Sequence, residues 1–293
     1  MRALWLLACL LFVCAQTARA DERIIYQPLN SDMHLSQGQW RQIWQASVEQ
    51  GAHTLIVQWT AYGDQTFGGA DGWLARALRL AHEQGLKLVM GLSMDAAYYQ
   101  RIDRLDSAGL ASYWGAQLGQ SLAQQRHVRQ QWNLPIEGWY LPMELDDFHF
   151  LDSARRDMLQ RQLKTFSGQL DAPLHISAFS VGKLAPGVQA QWLAQLAGLN
   201  IQVWWQDGAG TARLPALVRQ GYAAALPCTI GIVHEAFRQT SKQGQPFRAR
   251  PAAPASTASG CHPVAVFELR YRPWGRPLLE SQRSEPAAPP ANL

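Results

Sequence analysis

The chain has 293 residues, 47% of them hydrophobic and 16% charged, and a formal net charge of +4 at pH 7. That much apolar sequence excludes an extended disordered chain and suffices for one large core. The basic residues are scattered rather than clustered along the chain, so nucleic acid is not an expected partner.

The first segment has the pattern of an export signal. Met1 and Arg2 precede an apolar run over 3–14, and Ala18-Arg19-Ala20 offers a small-x-small cleavage site before Asp21-Glu22-Arg23. The run is too short to span a bilayer. Residues 1–20 are therefore predicted to be a signal peptide, leaving a periplasmic or secreted chain without a stable membrane anchor. Cys9 falls too early in the run to serve for lipidation. Cleavage removes Cys9 and Cys14 and leaves Cys228 and Cys261, which in an oxidising compartment are predicted to form a disulfide.

From residue 23 onward, strand and helix patterns alternate. Strand 23–29 (RIIYQPL) precedes a helix over 37–50, where Ser36 and Gln39 have capping-box spacing and Trp40, Ile43, Trp44 and Val48 share a face. Strand 53–59 (HTLIVQW) pairs with helix 72–84, and strand 86–94 with a long helical region over 108–131. Strand four, 138–147 (GWYLPMELDD), is backed by helix 153–170. Strand 174–179 leads to a helix from Pro186, and strand 200–206 to a helix from near Pro215. Strand 229–234 closes on Glu235, and strand 264–271 is the eighth. This alternation predicts a single-domain α/β fold, a (β/α)8 TIM barrel over 21–276. In the seventh unit, 235–242 offers only a helical turn or two. The Pro-, Ala-, Ser- and Gly-rich stretch 243–260 reads as a flexible flap over the barrel mouth, and 277–293 as a disordered tail.

Active sites of such barrels are built at the C-terminal ends of the strands. In strand four, Trp139, Leu141 and Met143 share a greasy face, while Gly138, Tyr140, Pro142 and Glu144 share the other, which brings Glu144 to the mouth. In strand seven, Thr229, Gly231, Val233 and Glu235 share the inward face. The remaining strand ends supply Gln27, Gln58, Asp95, Asp146, Asp147, Trp204, Trp205, Asp207, Glu268 and Tyr271. Carboxyl groups for acid, nucleophile or base roles, amides for hydroxyls and aromatic faces for rings make carbohydrate the expected ligand. Glu144, Glu235 and Glu268 are the candidate catalytic carboxylates, and the other residues at strand ends the predicted binding set. The histidines show no HxxxH or HxH spacing, so neither a metal nor a cofactor is expected.

Glutamates ending strands four and seven resemble the large clan of retaining glycoside hydrolases on TIM barrels, although Met143 stands where that clan has Asn. The resemblance implies an acid/base on strand four and a nucleophile on strand seven. The segments YQPLNSDMHLSQGQW (26–40), LIVQWTAYG (55–63), GWYLPMELDD and VFELRY (266–271) also resemble an uncharacterised family of secreted bacterial glycoside-hydrolase-like barrels. That second resemblance implies the fold and no particular reaction. The expected function is hydrolysis of glycosidic bonds in a bacterial polysaccharide or envelope glycan. Glu144 would be the general acid, kept protonated by apolar surroundings and by Asp146 or Asp147. Glu235, less crowded by acids, would be the ionised nucleophile or base, with Glu268 as the alternative second carboxylate. The alternative function is a non-catalytic carbohydrate-binding or exopolysaccharide-assembly protein on a hydrolase barrel.

Overall fold

The computed structural model describes residues 22–242, 245–254 and 260–283. The predicted signal peptide lies outside the described residues. Parallel strands β1 Glu22–Tyr26, β2 Ala52–Val57, β3 Lys87–Gly91, β4 Ile136–Asp146, β5 Leu174–Phe179, β6 Ile201–Gln206, β7 Gly231–Glu235 and β8 Val264–Phe267 form a closed barrel. Each pairs with its sequence neighbour, and β8 returns to β1 with Ile24 opposite Val266. Helices α1 Gln37–Glu49, α2 Trp73–Glu83, α3 Ser107–Gln131, α4 Ser153–Ser167, α5 Pro186–Ala197 and α6 Ala216–Ala225 return the chain between strands. The fold is the (β/α)8 barrel that the alternation predicts.

Local chemistry sets the elements. At the start of α1 the Ser36 hydroxyl accepts from the Gln39 N–H, and the Gln39 side chain accepts from the Ser36 N–H at 2.9 Å. A reciprocal cap of this kind stabilises a helix by about 1 kcal/mol. Trp40, Ile43 and Trp44 of the same helix are buried against the barrel wall. In β4, Trp139, Leu141, Met143 and Leu145 point into this outer core.

A second, smaller core fills the barrel itself. Ile25, Ile56, Val89, Tyr140, Trp204, Val233 and Ala265 pack together as one layer. Because strand side chains alternate, the next inward position up each strand is fixed. Those positions are Gln27, Gln58, Gly91, Gln206, Glu235 and Phe267, and on β4 the corresponding residue is Glu144. The β4 count differs because Leu141 pairs with Ile176 and Leu145 with Ala178, so β4 advances four residues while β5 advances two. Pro142 sits in that bulge, where its missing N–H costs the ladder nothing.

Between β8 and β1 the barrel is locked by Arg270, which is 1% exposed. Its Nε donates to Glu268 Oε2 at 2.7 Å and its Nη2 to the Gln27 carbonyl at 2.8 Å, with Asp32 Oδ2 3.4 Å away. The Gln27 N–H donates to Glu268 Oε1 at 3.1 Å, so both Glu268 oxygens are engaged. A further helix, α7 Arg276–Arg283, covers this network, and Arg270 Nη1 donates to the Leu278 carbonyl.

Three expectations are corrected here. The stretch 235–242 is not helical: Phe237–Gln239 pairs antiparallel with Ala249–Pro251. The stretch 243–260, expected as a flexible flap, contains a paired strand at Ala249–Pro251, because packing of Phe237 and Ala249 with Tyr271 gives the hairpin an apolar face. The tail is helical over Arg276–Arg283, because Leu278 finds a buried seat; residues 284–293, 243, 244 and 255–259 lie outside the described residues. The predicted disulfide is present between Cys228 and Cys261, with Cα atoms 5.2 Å apart. Closing a loop of that length stabilises the fold by about 3 to 4 kcal/mol, chiefly through the unfolded ensemble.

Replacing Arg270 by Met should leave two buried carboxylates without their cation. The expected loss is about 3 to 5 kcal/mol in urea unfolding followed by circular dichroism. A loss below about 1 kcal/mol would mean that the pair does not hold the closure.

Candidate functional site

The inward ring above the barrel plug brings Glu144 and Glu235 to one mouth. Glu144, half-buried, is held by three side chains from different strands and loops. Its Oε2 accepts from the Tyr99 hydroxyl at 2.5 Å, and its Oε1 from Gln206 Nε2 at 2.6 Å and from the Ser177 hydroxyl at 3.5 Å. Tyr99 reaches the site from the short helix Tyr98–Ile102, whose neighbour Tyr98 donates to the Glu144 carbonyl at 2.9 Å. Burial raises the Glu144 pKa above the usual carboxylate range; the Tyr99, Gln206 and Ser177 donors oppose that rise, and Asp146 adds to it.

Glu235 lies deeper, at 4% exposure. Its Oε2 accepts from the backbone N–H groups of Gly210 and Thr211. Position 210 has to be glycine, since a Cβ there would lie 2.7 Å from Glu235 Oε2 and 2.6 Å from the Phe237 ring. Burial, followed by the charge of Asp207, pushes the Glu235 pKa up to about 7; the two N–H groups pull it back, and Glu144 raises it further. Of the groups acting on Glu235, Glu144 has the smallest influence, after burial, Asp207 and the two N–H donors.

Asp207 is what crowds Glu235. Its Oδ1 accepts from the Ala209 N–H at 2.9 Å and from the Glu235 N–H at 3.4 Å, while its Oδ2 meets His234 Nδ1 at 2.9 Å. The expectation that Glu235 is less crowded by acids is therefore corrected: pairing of β6 with β7 carries Asp207 alongside it.

Several predicted binding residues do other work. Trp204 is wholly buried in the barrel plug beneath the Arg23 guanidinium, and Trp205 lies in the outer core with its Nε1 donating to Ser180, so neither offers a face to a ligand. Tyr271, 7% exposed, packs on Phe237. Asp146 accepts from the Phe148 and His149 N–H groups and meets His149 Nδ1 at 2.7 Å. Asp147 accepts from the N–H groups of Val181, Lys183 and Leu184. Both acids thus tie loops in place. Asp95 holds Ala97, Tyr113 and Arg101, which anchors the helix carrying Tyr99. Glu268 is spent on Arg270 and Gln27 and shares no partner with Glu144.

Gln27 and Gln58 keep their predicted places. The Gln58 side chain is 6% exposed, and its Oε1 has no hydrogen-bond partner among the described residues. A buried amide oxygen left this way costs about 1 to 3 kcal/mol unless a ligand donates to it. Sequence reading missed Tyr99, Ser177 and Gln206; Ser177 is an inward residue of β5 and Gln206 the last inward residue of β6, and both could have been found by carrying the alternation through. It also missed Phe148, 53% exposed directly after β4, as the aromatic face nearest the β4 carboxylates in sequence.

Residues 23–258 match the family described as "Domain of unknown function (DUF4434)". YbcH, an uncharacterized protein of Escherichia coli (strain K12), is 32% identical over 282 residues, covering 89% of this chain and 93% of YbcH. Among solved structures, a provisionally assigned alpha-L-fucosidase from Bacteroides thetaiotaomicron VPI-5482 superposes with a TM-score of 0.55 at 14% identity, covering 91% of this chain and 94% of that one. The spore cortex-lytic enzyme SleL of Bacillus megaterium QM B1551 does so with a TM-score of 0.53 at 10% identity, covering 89% and 73%. At these identities the likeness is one of fold, a glycoside-hydrolase-like barrel.

Glu235 binds its proton more tightly in the folded chain than in the unfolded one. Its contribution to stability is complete below about 4.5 and is lost as pH rises to about 7. In Glu235→Gln, the difference in unfolding free energy between these two pH values should shrink by about 3 kcal/mol. An unchanged difference would show that Glu235 titrates as an ordinary carboxylate.

Proposed function

The chain belongs to the DUF4434 family, and from that membership and the geometry of the mouth we propose that it hydrolyses glycosidic bonds, using Glu144 and Glu235 as its two carboxyl groups. The observation that carries the reading is the position of two glutamates directly above the side-chain layer that fills a glycoside-hydrolase-like barrel, at the ends of β4 and β7. The roles we assign are the reverse of those the sequence suggests. Glu235, buried beside Asp207, holds its proton near neutrality and delivers it to the glycosidic oxygen as the bond to the anomeric carbon breaks. Glu144, whose three donors offset part of the burial that raises its pKa, takes the other role: as the carboxylate it attacks the anomeric carbon or takes a proton from the attacking water. On the first route water then displaces Glu144 from the anomeric carbon and gives its proton to Glu235; on the second Glu144 releases the proton it took to solvent, and Glu235 takes one up from solvent.

Gln58 Oε1 and the Gln27 amide accept from and donate to sugar hydroxyls, and Phe148 offers a ring face. The likeness to a spore cortex-lytic enzyme and a provisionally assigned fucosidase supports a bacterial polysaccharide or envelope glycan as the ligand class. The disulfide supports an exported location, periplasmic or secreted. Among the described residues, no helix is long and apolar enough to cross a membrane. One observation favours a second reading, a non-catalytic carbohydrate-binding barrel: Glu235 is almost enclosed by the loop bearing Gly210.

Glu144→Gln and Glu235→Gln should each lower turnover of a responsive glycan by about 10²- to 10⁴-fold while sugar binding survives. Parent-like turnover in either variant would remove that residue from the reaction. Binding without cleavage across a broad glycan panel would establish the second reading. The kcat/KM profile should fall as pH rises through about 7, and Asp207→Asn should move that limb to lower pH, because the charge that raises Glu235 is gone. A profile that instead rises through 7 would restore Glu144 as the acid.

A further inference from the structure

The hairpin that leaves Glu235 concentrates positive charge on one face. Between Ala236 and Pro254 the chain carries Arg238, Lys242, Arg248 and Arg250 and no Asp or Glu. The folded register sharpens this, for Arg238 stands directly opposite Arg250 in the antiparallel ladder. Like charges in that relation destabilise a sheet, and no acid within the hairpin offsets them. The Thr240 N–H donates to the Arg248 carbonyl at 2.7 Å, which extends the pairing by one step and puts Arg248 on the same face as Arg250. These basic residues are already close in sequence, and the ladder sets Arg238, Arg248 and Arg250 on one face.

The other face of the hairpin is occupied. Phe237, 3% exposed, packs on Tyr271 and Phe267, with Ala249 beside it. The arginine face is therefore the outward one; Arg248 and Arg250 are exposed and Arg238 is half-buried. Among the described residues, no ion pair engages these three arginines. The hairpin is also bound to the catalytic loop: the Gln239 N–H donates to the Gly210 carbonyl at 2.9 Å, and Gly210 in turn donates to Glu235.

Resting on the hydrolase reading of the mouth, we propose that Arg238, Arg248 and Arg250 bind the acidic groups of the glycan, and that the substrate is an anionic polysaccharide. Guanidinium groups take carboxylate, sulfate or phosphate oxygens pairwise, and an exposed set spaced along a ladder suits a repeating acidic polymer. Nucleic acid would meet the same charges. The glycan is favoured because the arginine face is continuous with a loop that positions Glu235 and flanks a mouth of amides and carboxylates.

The test is calorimetric titration of the full mature chain, carrying Glu144→Gln to prevent turnover, with alginate as a polyuronate, dextran as a neutral glycan and single-stranded DNA. Alginate should bind, dextran should not, and Arg238→Gln with Arg250→Gln should weaken alginate by about tenfold or more. Arg248→Gln, which lies outside the paired strands, should weaken it in the same direction if the double variant fails to fold, and added salt should weaken the parent. Equal binding of dextran, alginate binding indifferent to the arginines, or DNA binding as tight as alginate through the same arginines would each overturn the proposal. Alginate bound through the arginines while the active parent cleaves no glycan would leave this inference standing and remove the hydrolase reading. Cleavage confined to neutral glycans would do the opposite.

Discussion

A guanidinium buried where the barrel closes is the constraint on which the rest depends. Burying Arg270 with Glu268 and Asp32 carries a large desolvation cost, and it is tolerable because almost every polar atom there has a partner. Tyr26 donates to Asp32, Gln27 donates to Glu268, and Arg270 reaches the carbonyls of Gln27 and Leu278. The network joins the end of β8 to the turn after β1 and to α7. Once β8 is fixed on β1, eight strands of one tilt enclose a single layer of side chains, and the alternation along each strand dictates what stands above it.

What stands above it is a ring whose members differ in how well they are satisfied. Glu144 is surrounded by donors that arrive from the helix Tyr98–Ile102, β5 and β6, and they oppose the burial that raises its pKa. Glu235 has two backbone donors but also an acidic neighbour and almost no solvent, an environment that favours the proton. Two inward carboxyl groups in such different surroundings are the raw material of acid–base chemistry on a sugar. Among the described residues, none donates to the buried Gln58 Oε1. The stability lost at such a ring is recovered in the outer core, where Trp44, Trp114, Trp132 and Trp139 are fully buried.

Much of this was legible in the sequence. Strict alternation in GWYLPMELDD and in the strand ending at Glu235 identifies the two inward glutamates without any contact information, since a period of two needs only the chain itself. The capping box at Ser36 and the pairing of Cys228 with Cys261 are equally local or combinatorial. What could not be read depends on neighbours distant in sequence. Glu268 looks like a third carboxylate at a strand end until Arg270 and Gln27 claim both its oxygens. Asp207 is 28 residues from Glu235 and becomes its neighbour only through the β6–β7 pairing. The hairpin escaped because three-residue strands carry too little alternation to register. The helix after Pro273 escaped because one buried leucine, Leu278, settles it against an otherwise polar composition.

The proposed chemistry requires Glu144 and Glu235 to share one mouth, where the charge of Glu144 raises the Glu235 pKa. Carbon-13 titration of glutamate side-chain carboxyl groups, in the parent and in Glu144→Gln, measures this without any substrate. The account predicts that Glu235 titrates near 7 in the parent and at a lower pH once the Glu144 charge is removed. A Glu235 that titrates as an ordinary carboxylate, or whose midpoint does not move when Glu144 is neutralised, would contradict it.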